Sequence, residues 1–400
     1  MKGNKQRLLV CLLALAAGCA GPQKPVPILS TVPDGELHWA GELPVLILRG
    51  SPYDMGYQHG SLLRREVQAS AGNLMAFADR QLRIPGIGRM VVRRKLDRAW
   101  SKMKPFIPDR YLEEMQGLAD GAKIPLRTLQ RIHALPDLIS VTCASAAVAG
   151  GATRDGRLIQ IRNLDWAMQS GIQRYAVLLV HQPKSGRPFV NIGWLGFIGV
   201  ISGISRQGIS VAEIGAETED TNLEGTPMPF LLRRVLEESD DLTQAVKIIQ
   251  AGPRTVGYNY LFADAKAGNA VALETTRQHD AVFWMEKENA LVRSDLALDP
   301  QVRDLQLACN GNPSRPGPES PAGTSSYEIR YRGLAALLAK FHGKLDPENA
   351  MAIARAVAPP SNLQSVVYAY PQIWVANARG RRPAAQGTYQ QVDLEEFFSR

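Results

Sequence analysis

Cys143, Arg162 and Asp165 are the residues whose types and spacing promise chemistry. Cys143 begins a run of small residues, Cys143-Ala144-Ser145-Ala146-Ala147-Val148-Ala149, and Asp155-Gly156 then supplies a two-residue hairpin turn. The returning strand delivers Arg162 and Asp165, three residues apart, to its far end. A hairpin therefore brings a thiol near a guanidinium and a carboxylate, a combination suited to making a thiolate. Both charges sit beside an apolar run, where neither is buried cheaply without a partner. Taken alone, the Arg162–Asp165 pair also suits a structural salt bridge capping a strand.

A thiol with an ordinary pKa of ~8.5 is only a few per cent ionised at neutral pH, so it needs a base or a cation nearby. The histidines, at 38, 59, 133, 181, 279 and 342, occupy no recognisable cysteine-protease setting. His59 and His133 on helices and His181 at a strand end read as structural. The base must then be something else. Breaking the chain before Cys143 creates an α-amine with a pKa of ~8, able to take the thiol proton.

The elements that position these groups change character at Cys143. Before it, Val45 to Leu48 reads as a strand. Ser51-Pro52-Tyr53-Asp54 is a helix start, with a serine N-cap, an early proline and a carboxylate at the positive end of the dipole. Helical patterns follow at 73–83, 88–104, 109–120 and 125–135. After it come short strands at 143–149, 157–162, 175–182, 188–193 and 208–214, then helices at 227–238 and 241–251. Strands return at 258–264, 269–276 and 281–286; a Pro/Gly/Ser-rich loop fills 299–325. Helices at 328–341 and 347–357 precede strands at 364–369 and 372–377. Runs of strands with helices in blocks predict a layered α+β domain with antiparallel sheets.

Composition is that of a globular protein with a sizeable core: 45% apolar and 21% charged, with a net charge of +8. The densest basic cluster, Arg93-Arg94-Lys95 with Arg98, Lys102 and Lys104, alternates with apolar residues at helical spacing and reads as a solvated helix face. No aromatic interleaving or zinc spacing points to nucleic acid, and neither HExxH, paired CxxC nor a phosphate loop occurs. No metal or other cofactor is expected.

Lys2, Lys5 and Arg7 precede the apolar run Leu8 to Ala17, too short for a stable bilayer span. It ends Leu15-Ala16-Ala17-Gly18-Cys19 before a proline-rich stretch, which resembles a bacterial lipobox with cleavage before Cys19 and lipid on its sulfur. The resulting division is 1–18 signal peptide, 19–44 linker, 45–142 helical segment and 143–400 catalytic segment. The expectation is an exported lipoprotein of a bacterial cell envelope. Cys143 and Cys309 then remain, and two cysteines make no disulfide framework.

Cys143-Ala144-Ser145, Ala152-Thr153-Arg154-Asp155-Gly156 and Arg162-Asn163-Leu164-Asp165-Trp166 together resemble the N-terminal-nucleophile hydrolases. The chain is most similar among them to the acyl-coenzyme A:6-aminopenicillanic acid acyltransferase family (peptidase family C45), with choloylglycine hydrolases and penicillin V acylases as more distant relatives. Leu48 to Gly60, Leu135-Pro136-Asp137-Leu138, Gly257 to Asp264 and Ser325 to Tyr331 extend the resemblance to roughly 45–395. It implies a four-layer αββα sandwich with a mostly helical N-terminal segment, made as a precursor that cuts itself at Thr142–Cys143, the two pieces staying together as a heterodimer. Cys143 would be the nucleophile and its α-amine the base, with Asp165 orienting that amine and Arg162 favouring the thiolate. Asn259 would be the oxyanion donor, and Ser326 and Arg330 come from the segment holding a further site arginine. The implied substrate is a small N-acyl amide, cleaved through a thioester. A catalytically inactive envelope lipoprotein that binds through the same fold is the alternative. Two departures stand out: Arg293-Ser294 where many relatives carry Thr-Asn, and Ile214-Gly215 where choloylglycine hydrolases show Leu-Asn.

Overall fold

The structure is a computed structural model that describes residues 30–82, 89–139, 141–286, 290–307 and 326–400. Three strands come first: β1 (Ser30–Val32), β2 (Gly35–Ala40) and β3 (Leu43–Gly50). Helices α1 (Pro52–Leu62), α2 (Arg64–Gln81), α3 (Arg89–Met103), α4 (Asp109–Ala122) and α5 (Leu126–His133) follow. Next are β4 (Thr142–Gly150), β5 (Gly156–Asp165), β6 (Ala176–Pro183), β7 (Phe189–Trp194), β8 (Ser202–Ser205) and β9 (Ile209–Gly215). Helices α6 (Met228–Glu238) and α7 (Leu242–Gln250) lead to β10 (Tyr258–Asp264), β11 (Asn269–Thr275), β12 (Asp280–Trp284) and β13 (Ala290–Ser294). The last elements are α8 (Pro300–Leu305), α9 (Ser326–Lys340), α10 (Pro347–Val357), β14 (Asn362–Ala369), β15 (Gln372–Asn377), β16 (Gln390–Asp393) and α11 (Leu394–Phe398). Among the described residues no helix is long and apolar enough to cross a membrane.

These strands make two sheets. One runs β1-β2-β3-β6-β7-β8-β9-β10-β11-β12 and the other β13-β4-β5-β14-β15-β16. All pairings are antiparallel except β3 with β6. The sheets face each other through β4, β5, β9 and β10. Helices α6 and α7 cover the outside of the larger sheet, and α9 and α10 cover the outside of the smaller one. This is the four-layer αββα sandwich. Both faces of β4 are buried, which is why its sequence is a continuous run of small residues with no polar side.

The N-terminal helices pack on one another through glycine. A Cβ on Gly56 or Gly60 of α1 would meet backbone atoms of α4 at 1.9 and 2.5 Å, and one on Gly117 or Gly121 of α4 would meet α1 backbone at 2.1 and 2.3 Å. Four absent side chains thus let two helix backbones touch. Ser51 caps α1 with Asp54 in a reciprocal capping box, and Pro52 fills the first turn.

Three expectations change. Residues 30–44, read as linker, carry β1 and β2, because Leu37, His38 and Ala40 bury against the edge of the large sheet. The β4–β5 connection is not a two-residue Asp155-Gly156 turn. Gly150 pairs with Gly156 after a bulge, and the intervening segment is tied to Leu345 by Thr153 and the Arg154 amide. Short strands β8, β13 and β16 and helix α8 lie where no element was expected. Cys19, Cys309 and the side chain of Ser326 lie outside the described residues; Ser326 opens α9.

Candidate active site

Cys143 sits one residue inside β4, fully buried, and its ladder partner on β5 is Leu164. Strand parity then decides which neighbours it meets. Arg162 lies opposite Ser145, on the same face as Cys143 and toward the large sheet, where its Nη2 pairs with Glu213 Oε2 at 3.1 Å and its Nε donates to Ser202 Oγ at 3.3 Å. The Cys143 thiol donates to the same Glu213 Oε2 at 3.7 Å. Asp165 lies opposite Thr142 and turns the other way, toward the helical layer. There it takes Arg330 Nη1 at 2.5 Å and the Asn362 side-chain amide at 2.9 Å. The odd spacing of three that brings Arg162 and Asp165 together in sequence places them on opposite faces.

The residue that holds the Cys143 nitrogen is Asp295. Its Oδ1 accepts the Cys143 amide N–H at 2.8 Å, and its Oδ2 lies 4.0 Å from Arg330 Nη1. β13 delivers it, since Ser294 pairs with Ala144 and the chain then turns across the end of β4. Glu274 fixes this turn by accepting the amides of Leu298 and Asp299 at 2.6 and 2.7 Å, and Gln306 clasps Ala297 N and Asp295 O. Gly215 makes room for the segment before Cys143, because a Cβ there would stand 1.9 Å from the Val141 carbonyl.

Two guanidiniums, Arg162 and Arg330, thus meet three carboxyls, Glu213, Asp165 and Asp295, with every one of these groups largely out of water. Burial raises all three carboxyls, and Asp295, with Asp165 and Glu213 near it, rises well above the usual range. Burial likewise pushes the Cys143 thiol well up; Arg162 opposes this, but Glu213, Asp295 and Asp165 reinforce it. The Cys143 sulfur is therefore held here as a thiol, whereas Arg162 alone would favour a thiolate. One guanidinium does not offset full burial plus three acidic neighbours.

Asn259 is also buried, on β10, but its amide donates to the carbonyls of Ser294 (3.1 Å) and Leu296 (3.3 Å). Both its N–H groups brace the Asp295 turn, so the donor expected for an oxyanion is committed in this form. Arg330 differs: its Nε and Nη2 have no hydrogen-bond partner among the described residues. Arg332, two positions on, faces away and pairs with Glu328. Glu213 and Asp295 were not singled out in the sequence. Among the described residues no group of three or more His, Cys, Asp or Glu side chains is placed to hold a metal.

A narrow apolar cleft starts beside this cluster. Val141 and Leu164, the ladder partner of Cys143, line it together with Trp166, Trp194, Phe197 and Ile132, between the N-terminal helices and the sheets.

The family model described as acyl-coenzyme A:6-aminopenicillanic acid acyl-transferase matches residues 152–294. That match takes in just over a third of the chain. The matched stretch holds Arg162, Asp165, Glu213 and Asn259 but neither Cys143 nor Asp295. Among curated proteins, dcd1B of Dictyostelium discoideum is 31% identical over 273 residues, covering 63% of this chain and 54% of its own. An uncharacterized protein of Archaeoglobus fulgidus is 29% identical over 402 aligned residues, covering 89% and 65%. The chain thus spans between about half and two-thirds of the length of these two relatives. Among solved structures, a Caenorhabditis elegans N-acylethanolamine-hydrolyzing acid amidase ortholog aligns with TM-score 0.41 and 15% identity over 57% of this chain and 92% of its own. Penicillin V acylase from Agrobacterium tumefaciens gives 0.40 and 12% over 59% and 83%. Likeness at that level carries no weight about substrate.

Proposed function

We propose that this chain is a member of that acyltransferase family, a self-cleaving cysteine amidohydrolase or acyltransferase that cuts a linear amide through a thioester on Cys143. The observation that carries this reading is the pair of contacts at one residue: its thiol on Glu213 and its amide nitrogen on Asp295. A thiol and a peptide nitrogen each held by a carboxyl is what an acyl shift from nitrogen to sulfur requires. The Cys143 sulfur attacks the Thr142 carbonyl carbon while its proton passes to Glu213. The C–N bond then breaks as Asp295 gives its proton to the departing nitrogen. Water hydrolyses the thioester, leaving a free thiol and a free α-amine on Cys143.

Scission frees the α-amine of Cys143, which supplies the base. The amine takes the thiol proton, the sulfur attacks the substrate carbonyl, and the leaving amine recovers that proton as the C–N bond breaks. The unpartnered donors of Arg330 are the charge-stabilising groups in this scheme, in place of Asn259. Water or an amine then takes the acyl group from sulfur. The apolar cleft receives the acyl part of the substrate, a small N-acyl amide. The two pieces stay together, because α1, α4 and α5 are packed into the same core as β4–β7. Export and lipid attachment at Cys19 complete the reading, and rest on the sequence pattern alone.

Incubation with fluorogenic N-acyl amides of graded chain length, quenched in acid, tests the reaction. A mass increase equal to the acyl group on the peptide starting at Cys143 is the expected result. Turnover that persists in Cys143→Ala would overturn the assignment.

A further inference from the structure

The segment between β7 and β8, residues 195–201, forms one wall of the apolar cleft through Phe197 and Ile201, next to Trp194 at the end of β7. A connecting segment of this kind is ordinarily a source of mobility. Here the N-terminal helices hold its backbone directly. The Gly196 amide donates to His59 Nε2 of α1 at 3.0 Å, and the Ile198 amide donates to His133 Nε2 of α5 at 3.0 Å. The His133 ring stacks on the Phe197 ring between those two amides, with centroids 4.4 Å apart and planes 9° from parallel.

The protonation state of each imidazole is set by its partners. His133 Nδ1 lies 2.7 Å from the Leu129 carbonyl, which can only accept, so Nδ1 carries the proton and Nε2 presents its lone pair to Ile198. His59 Nε2 likewise faces a donor, the Gly196 N–H. Both rings are buried, which pushes them down to about 3 for His59 and about 4 for His133. Each is a neutral acceptor throughout the physiological range. The Ile198 carbonyl is fixed from the opposite side by Arg233 at 3.0 Å, itself paired with Glu114 of α4.

We propose that His59 and His133 are positioning residues that set acyl-chain selectivity by fixing the Gly196–Ile198 wall of the cleft. The proposal rests on the reading that the cleft takes the acyl group. It gives the helical segment a duty beyond that of a leader: it builds one side of the specificity site. Neither histidine touches the reacting atoms. Without the acceptor, a buried N–H is left unpaired, and the wall shifts to satisfy it. A wall free to shift admits chains it would otherwise exclude and grips the preferred chain less well.

The test compares His59→Leu and His133→Leu, which remove the acceptor, with His59→Gln and His133→Gln, which restore an acceptor oxygen. Each is assayed in the full chain on N-acyl amides from two to sixteen carbons, with hydrogen exchange followed at residues 196 and 198. In the leucine variants, protection at those amides falls, and the ratio of kcat/KM between best and worst chain length drops at least tenfold, mainly through KM. The glutamine variants keep both. A uniform loss across all chain lengths, or an unchanged chain-length profile despite lost protection, would overturn the proposal. Should the leucine variants not fold, Phe197→Ala loosens the same wall and must give the same flattened profile, or the proposal fails. If wild type hydrolyses none of the panel, the functional reading is lost but the wall is still testable. Binding of a fluorescent long-chain fatty acid must then weaken at least tenfold in the leucine variants, and unchanged binding would overturn the proposal.

Discussion

The amide nitrogen of Cys143 donates to Oδ1 of Asp295 at 2.8 Å, a bond that joins positions 152 residues apart in the chain. One carboxyl therefore sits on the atom that must take up a proton if the Thr142–Cys143 bond is cut. Asp165, expected to orient that nitrogen, instead anchors Arg330 from the opposite face of the sheet.

Asp295→Asn keeps an oxygen for the Cys143 N–H but has no carboxyl proton to give. General acids contribute on the order of 10²-fold or more, so this variant should fold normally and cleave itself about a hundred times more slowly. Asp295→Ala should also be less stable by ~1–3 kcal/mol, since it leaves a buried N–H unpaired. Time courses of precursor and product on a denaturing gel, with urea midpoints alongside, measure both effects.

Asp137 gives a pH dependence with a definite sign. Burial raises it to about 6, and Thr255 donates to its Oδ1. Between its ordinary value of 3.8 and about 6 the folded protein holds a proton that the unfolded chain releases. Its contribution to stability is thus complete below the lower value and lost as pH rises through the higher one. Asp137→Asn removes that dependence. The stability of the variant relative to wild type should rise by on the order of 2–3 kcal/mol between about pH 4 and about pH 7.

Glu114 joins the N-terminal helices to the part of the chain after Cys143. It pairs with Arg233 at 2.5 Å and meets His181 at 3.3 Å. Burial opposes its charge, but Arg233 and His181 prevail and hold it at about 2. Glu114→Ala leaves the buried Arg233 to its second carboxylate, Glu237, and should cost up to about 3 kcal/mol. Denaturant unfolding checks this, and in the cleaved protein the same variant should release the N-terminal chain at lower denaturant.

Gly56→Ala should destabilise severely, because its Cβ would stand 1.9 Å from the Glu114 carbonyl oxygen. Gly72→Ala on exposed α2, with nothing within 4 Å, should stabilise by about 0.5–1 kcal/mol. Thermal melts of the pair separate packing from propensity.

Much of this fold could be read from residue order. Helix starts such as Ser51-Pro52-Tyr53-Asp54 carry their own local chemistry, and β4 and β5 declare themselves by composition. Glu213 and Asp295 were invisible for the opposite reason. They reach Cys143 only through pairing between distant strands, and no local spacing links them to it. The choice between Arg330 and Arg332 depended on which side of α9 meets β13, since residues two apart on a helix point nearly opposite ways. The Asp155-Gly156 turn misled because Thr153 and Arg154 are held by Leu345, almost two hundred positions away, through a β-bridge and a backbone hydrogen bond.

The most direct check is the intact mass of purified wild type beside Cys143→Ala. Wild type should give two chains divided between Thr142 and Cys143, and the alanine variant one. A wild-type chain that stays whole through position 143, with a thiol that ignores iodoacetamide, would contradict the account.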